Sequence, residues 1–229
     1  DHEDTLGPSG WQVAHEMTHF IPEGGHLHTS EEQMLPILRQ GASMKNCSLA
    51  VTNWYQIESI PSDILDEFSY EEHPANIALV LSLSLTMGIG KSKALSYMTQ
   101  RVVPDIGVLK AFPVMQHQGS ELTFINSMSA NERFATLENW RRMGLNTLDR
   151  AKGDWLSVVV NNRADRVARS QAFAKVFSQE IGFDQLFVIG TNVDGFMHYL
   201  MSAWNIWLNS IQNGAKQPQL EHSELLCRK

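Results

Sequence analysis

The sequence has little cysteine, no long apolar run and no concentrated positive charge, and each shortage removes a class of answer. Its two cysteines, Cys47 and Cys227, stand outside any CxxC pair. Neither a disulfide scaffold nor a cysteine-rich zinc site is implied, and a reduced, cytosolic setting is the default. No stretch reaches the roughly 18 apolar residues of a membrane span, and no signal peptide is visible. The formal net charge is −7, and basic residues are scattered apart from a modest group at Arg163, Arg166 and Arg169. Nucleic acid, whose binding needs clustered Lys and Arg, is therefore not an expected partner. Repeats and low-complexity tracts are absent. The chain opens at Asp1, without methionine and inside a polar, motif-like stretch, which reads as a fragment.

What is present is apolar patterning. The 229 residues are 43% hydrophobic, enough for one large or two modest domains. Ser9 can cap a short helix with Trp11, Val13, Ala14, Met17 and Phe20 on its apolar side, ended by Pro22, Gly24 and Gly25. His26 to Thr29 reads as a strand, Glu31 to Arg39 as a helix and Ser48 to Trp54 as a strand. Ile77, Leu79, Leu81, Leu83 and Leu85 alternate as in a strand. However, Pro74 suits a first helical position and the run is long, so residues 75–87 are expected to be a buried helix. Gly88 and Gly90 break it, a second helix follows over Lys91 to Arg101, and residues 104–113 read as a linker. Beyond it, expected strands at 122–127, 155–161 and 186–190 alternate with expected helices at 135–143, 164–177 and 193–209. That alternation predicts an α/β fold with a parallel, Rossmann-like sheet, followed by a polar tail from Asn213.

Three motifs compete for the chemistry. His15-Glu16-Met17-Thr18-His19 is an HExxH match on an expected helix, where both imidazoles share a face and the carboxylate can act as base. A metzincin extension would need Gly at position 22 and His at position 25; those are Pro22 and Gly25, with His26 one residue out of register. Gly88-Ile89-Gly90-Lys91-Ser92 looks like the end of a P-loop, but the required upstream glycine is Leu85, and a helix-to-helix turn with a solvated Lys explains it better. The third is a series: Asp1-His2-Glu3-Asp4-Thr5-Leu6-Gly7-Pro8, Glu72-His73-Pro74-Ala75-Asn76, Asp105-Ile106-Gly107-Val108-Leu109-Lys110, Asn126-Ser127-Met128-Ser129-Ala130-Asn131-Glu132, and Asn161-Asn162-Arg163-Ala164-Asp165-Arg166.

In this order, those segments resemble the Mur ligase family, and within it the poly-γ-glutamate synthetases of capsule biosynthesis. The resemblance implies the end of a Mur-type central nucleotide-binding domain (residues 1–103), a linker (104–113) and a C-terminal Rossmann-like ligase domain (114–229). It implies ATP-dependent amide ligation that makes γ-glutamyl bonds through an acyl phosphate, with Mg²⁺ neutralising phosphate oxygens. By position, His2 and Asp4 would serve the metal, Asn76 would face adenine, and Lys110 would reach nucleotide phosphates where the family carries Arg. Asn131 and Glu132 would act near the ribose, where the family has Asn-Asp. Arg163, Asp165 and Arg166, just after a strand end, would bind an anionic glutamyl chain. The implied partners are glutamate or glutamyl polymer and membrane subunits, which places the protein in the cytoplasm at the inner face of the membrane.

Two departures qualify the resemblance. The family's carbamylated Lys corresponds to Met17, and the Gly-rich phosphate loop that precedes the family's first motif is not in this sequence. Alone, the chain is expected to be inactive. Two rival readings stay open here: a zinc metallohydrolase using His15, Glu16 and His19, and a non-catalytic binding module on a ligase fold.

Overall fold

A computed structural model describes residue 7 and residues 9–212. The chain divides into two compact units, Asp1–Ser129 and Ala130–Lys229. The architecture is mixed α/β with small sheets: four two-stranded pairs among the described residues. No described helix is long and apolar enough to cross a membrane.

The first unit begins with α1 (Gly10–Met17), whose N-cap Ser9 accepts from the Gln12 N–H, and continues into a 3₁₀ turn, Thr18–Phe20. Only part of the expected apolar side turns inward. Ala14 is buried, whereas Trp11, Met17 and Phe20 are exposed. Next come β1 (His26–Thr29), α2 (Leu35–Met44) and β2 (Ser48–Val51), with the two strands parallel. Helix α2 starts four residues later than expected because the Glu31 carboxylate accepts from the Gln33 and Met34 N–H groups and holds a turn there. Gly41 lets α2 approach the 3₁₀ turn; a Cβ there would meet Thr18 at 2.8 Å. Strand β2 stops at Val51, not Trp54, because Asn53 and Gln56 form a capping box that opens α3 (Trp54–Glu58).

Helix α4 (Ser62–Asp66) leads to α5 (Pro74–Thr86) and α6 (Lys91–Arg101). The helical reading of α5 holds. Pro74 occupies the first turn, and His73 Nδ1 accepts from the Ala75 N–H, 3.2 Å away. Ile77, Ala78 and Leu81 are its buried face, packed with Ile60, Ala94 and Leu95, while Leu83 and Leu85 point outward. Strand alternation misleads here because only every third or fourth residue reaches the core. Gly88, at φ +75°, ends α5, and its N–H donates to the Leu85 carbonyl. The P-loop-like segment is thus a turn between helices. The expected linker carries β3 (Lys110–Ala111), which pairs antiparallel with β6 (Ile125–Asn126). Between them lies a hairpin, β4 (Met115–His117) and β5 (Ser120–Leu122), turned through Gln118 and Gly119 with φ of 50° and 83°. Such a two-residue loop matches the twist of the flanking strands.

The second unit contains α7 (Arg133–Arg142), β7 (Ser157–Asn162), α8 (Val167–Gln179), β8 (Gln185–Gly190) and α9 (Val193–Gln212). Strands β7 and β8 are parallel and in register from Ser157–Gln185 to Asn162–Gly190. Val158, Val160, Leu186 and Val188 pack on a core of Ala174, Val176, Phe177, Ile181, Phe196 and Leu200. Of the three strands expected to alternate with helices here, β7 and β8 form the parallel pair, whereas the segment expected as a strand at 122–127 holds the end of β5 and β6, which pair antiparallel. The opposite sheet face, with Val159, Phe187 and Ile189, is exposed.

Candidate functional site

The polar groups of the first unit converge at the start of α5. Glu72 receives three hydrogen bonds: from the Tyr70 hydroxyl (2.6 Å), the His73 N–H (2.8 Å) and Asn76 Nδ2 (2.9 Å). Burial, then the hydrogen bond and charge of Glu72, hold the Tyr70 phenol well above its ordinary pKa, so it stays a donor. With Asn76 Nδ2 giving one N–H to Glu72, the Oδ1 acceptor and the second N–H of the amide remain for a ligand. Asn76 lines a groove of about 400 Å³ between α5 and α6, together with Tyr97, Met98 and Arg101. The Arg101 guanidinium lies over the Tyr97 ring, 4.6 Å from its centroid. The stacked Tyr97–Arg101 pair and the Asn76 amide therefore line the same groove.

Lys110 lies elsewhere in the same unit, in β3 opposite Asn126. Its ammonium sits over the Phe112 ring, 5.3 Å from the centroid. The segment leading to it is held in place locally. Asp105 accepts from the Gly107 N–H (2.8 Å), Asn126 Nδ2 donates to the Ile106 carbonyl (2.6 Å), and the Ser129 N–H donates to the Gly107 carbonyl (2.8 Å). Two separate sequence motifs thereby become one short, cross-braced structure.

In the second unit, Glu132 is the N-cap of α7, with one oxygen accepting from the Phe134 N–H and the other from the Ala135 N–H. Asn131, half-buried, precedes it. Arg163 and Asp165 face each other in a fork with contacts of 3.0 and 2.7 Å, and Arg166 Nε lies 3.6 Å from the same carboxylate. The Arg163 hydrogen bonds and charge lower the Asp165 pKa. All three residues follow the carboxyl end of β7, where open α/β sheets place ligands. Sequence reasoning missed what supports them. Buried Asn162 donates through Nδ2 to the Thr191 and Asn192 carbonyls and accepts at Oδ1 from the Ser170 hydroxyl. Thr191 Oγ1 in turn accepts from the Ala164 N–H. The available signal was an amide closing one apolar strand and Gly-Thr-Asn closing the other.

His2 and Asp4 lie outside the described residues. His15, Glu16 and His19 are all exposed, and their ligand atoms lie within 4.8 Å of one another. His26 is not in that group; its Nδ1 pairs with the Ser48 hydroxyl. Groove, Lys110 and His15 group belong to the first unit, whereas Asn131, Glu132 and the Arg163 fork belong to the second.

Residues 111–225 match the family described as the poly-gamma-glutamate synthase CapB C-terminal domain. Over 197 residues, 85% of this chain, the sequence is 28% identical to a Bacillus subtilis (strain 168) protein named PGA synthase CapB. Over 176 residues, 76% of this chain, it is 30% identical to a Bacillus anthracis protein named capsule biosynthesis protein CapB. The matched regions span 47% and 36% of those relatives, less than half of either. No solved structure matches.

Proposed function

The chain belongs to the family of the poly-gamma-glutamate synthase CapB C-terminal domain, and from that premise we propose that it is part of an ATP-dependent amide ligase. In this reading it forms γ-glutamyl bonds for poly-γ-glutamate or capsule synthesis, as the names of its two relatives suggest. The observation that carries the reading is the groove beside Asn76. A planar purine fits about 400 Å³, and its exocyclic amino group suits the Oδ1 acceptor that Glu72 fixes in place. Tyr97 and Arg101 line the same groove. ATP, when bound, supplies the phosphoryl group that turns a glutamyl carboxylate into an acyl phosphate, from which an incoming amine displaces phosphate.

The residues of this chain would divide the work. Asn76 selects the base, and Lys110 offsets charge on phosphate oxygens as a point cation. Glu132 keeps a lone pair on each capping oxygen, and with Asn131 it can accept from ribose hydroxyls. Arg163 and Arg166 attract the carboxylates of a glutamyl chain, with Asp165 holding the Arg163 fork in one orientation. His2 and Asp4 remain the proposed Mg²⁺ ligands. Because the sequence carries no Gly-rich phosphate loop, the reaction requires that loop from a further segment or chain. Membrane subunits at the inner face of the membrane complete the proposed assembly.

The test is glutamate-dependent ADP release with ATP and Mg²⁺, the phosphate-loop segment supplied. The wild type should release ADP only with glutamate, and His2→Ala and Asn76→Ala should each remove most of it. Absence of ADP release with every amino acid offered would refute ligation by this assembly.

A further inference from the structure

The HExxH-like segment plays no part in the ligase reading, yet its side chains come together. His15 ends one turn of α1 and His19 sits one turn later, in the 3₁₀ segment Thr18–Phe20. Backbone contacts fix that spacing. The Thr18 hydroxyl donates to the His15 carbonyl (2.7 Å), and the Lys45 ammonium donates to the His19 and Ile21 carbonyls (2.7 and 2.8 Å). The His15 ring stacks on Trp11, with centroids 5.4 Å apart and an interplanar angle of 18°. The His19 ring meets His15 edge-on at 5.9 Å, and His19 Nε2 lies 4.0 Å from Glu16 Oε2.

We propose that His15, Glu16 and His19 form a surface site for a divalent transition-metal ion of the zinc class. Two imidazoles and a carboxylate are a zinc, cobalt, nickel or copper donor set, and Mg²⁺, which prefers a mainly oxygen shell with several waters, competes poorly for a site with two imidazoles. Tetrahedral zinc with bonds near 2.1 Å needs ligand atoms about 3.4 Å apart. The three atoms, within 4.8 Å of one another, need to close by little more than an ångström. Exposed side chains can make that adjustment by rotamer change while Lys45 and Thr18 keep the backbone still. Water, or a donor from another molecule, takes the fourth position. This is a binding site and not a hydrolase centre, because Glu16 serves as a ligand and is not spare as a base. His26, which could have supplied a third imidazole, is engaged with Ser48. The bound ion would staple α1 to the 3₁₀ turn and stabilise the N-terminal part of the first unit.

The experiment titrates Zn²⁺ into the metal-free full chain by calorimetry at constant pH, in excess Mg²⁺. One equivalent should bind and raise the thermal midpoint. His15→Ala and His19→Ala should each weaken that equivalent by well over tenfold, since even losing a ligand's own hydrogen-bond partner costs about 10–100-fold. Glu16→Gln should weaken it by about tenfold or more. The three side chains are exposed, so the variants should keep the wild-type circular dichroism. Ni²⁺ or Cu²⁺ should quench a tryptophan signal that Trp11→Phe removes. Failure of the wild type to bind Zn²⁺, or equal affinity and stoichiometry in the His15→Ala/His19→Ala double variant, would overturn the site. Unchanged affinity in Glu16→Gln would overturn the three-ligand assignment.

Discussion

The two units handle their polar side chains in opposite ways. At the strand ends of the second unit, Asn162, Ser170 and Thr191 bond to one another and to backbone. At the groove of the first unit, Glu72 accepts from Tyr70, His73 and Asn76, and the exposed Asn76 amide lines the groove with Tyr97 and Arg101. Saturated polar groups of the first kind specify a structure; an oriented but unfinished acceptor of the second kind is what a ligand can use. The lesson is that the buried amide of Asn162 should matter for folding, and the exposed amide of Asn76 for binding.

That contrast can be broken by substitution, and the largest effect should come from the second unit. Phe196 is fully buried, so Phe196→Ala should cost about 3–5 kcal/mol in urea unfolding. Asn162→Ala should come next, at about 2–4 kcal/mol, because the Ser170 hydroxyl and two carbonyls lose a buried partner together. Gly190 sits at φ +95°, where an added Cβ would lie 2.2 Å from the Asn162 carbonyl. Gly190→Ala should therefore destabilise the same strand end by a similar amount, read in the same denaturation series.

Glu72→Ala should show its effect in the first unit's groove. It removes the acceptor that Asn76 Nδ2 uses, so adenine-nucleotide binding should weaken by about tenfold. The Tyr70 contact supplies a pH signature. Its folded pKa is raised, so its stabilisation is complete below the ordinary phenol value of about 10 and is lost as pH rises beyond it. Tyr70→Phe should abolish that alkaline dependence. The smallest stability effect should belong to Arg163→Ala, since both members of its ion pair are exposed. Its consequence should appear in binding of a poly-glutamyl probe.

Much of this was legible in the sequence where local chemistry and burial agreed. Pro74 and the glycines at 88 and 90 bounded α5, and Val158, Val159 and Val160 marked β7. Legibility failed where a side chain redirected the backbone. Glu31 delayed α2, and the Asn53–Gln56 capping box converted the end of an expected strand into α3. The hairpin of β4 and β5 was unreadable because all six of its strand residues are exposed, leaving no inward and outward alternation. At the groove, Asn76 was identified by motif, but Glu72 as its anchor and Tyr97 and Arg101 as its neighbours depend on how α5 meets α6. Sequence spacing does not encode that meeting.

The most direct test of the account is photolabelling of this chain with an azido-adenine nucleotide, followed by peptide mapping. Label is expected on α5 and α6 around Asn76 and Tyr97, displaced by ATP and strongly reduced in Asn76→Ala. Label confined to other segments, or undiminished by excess ATP, would contradict the assignment of this groove to the adenine of an ATP-dependent ligase.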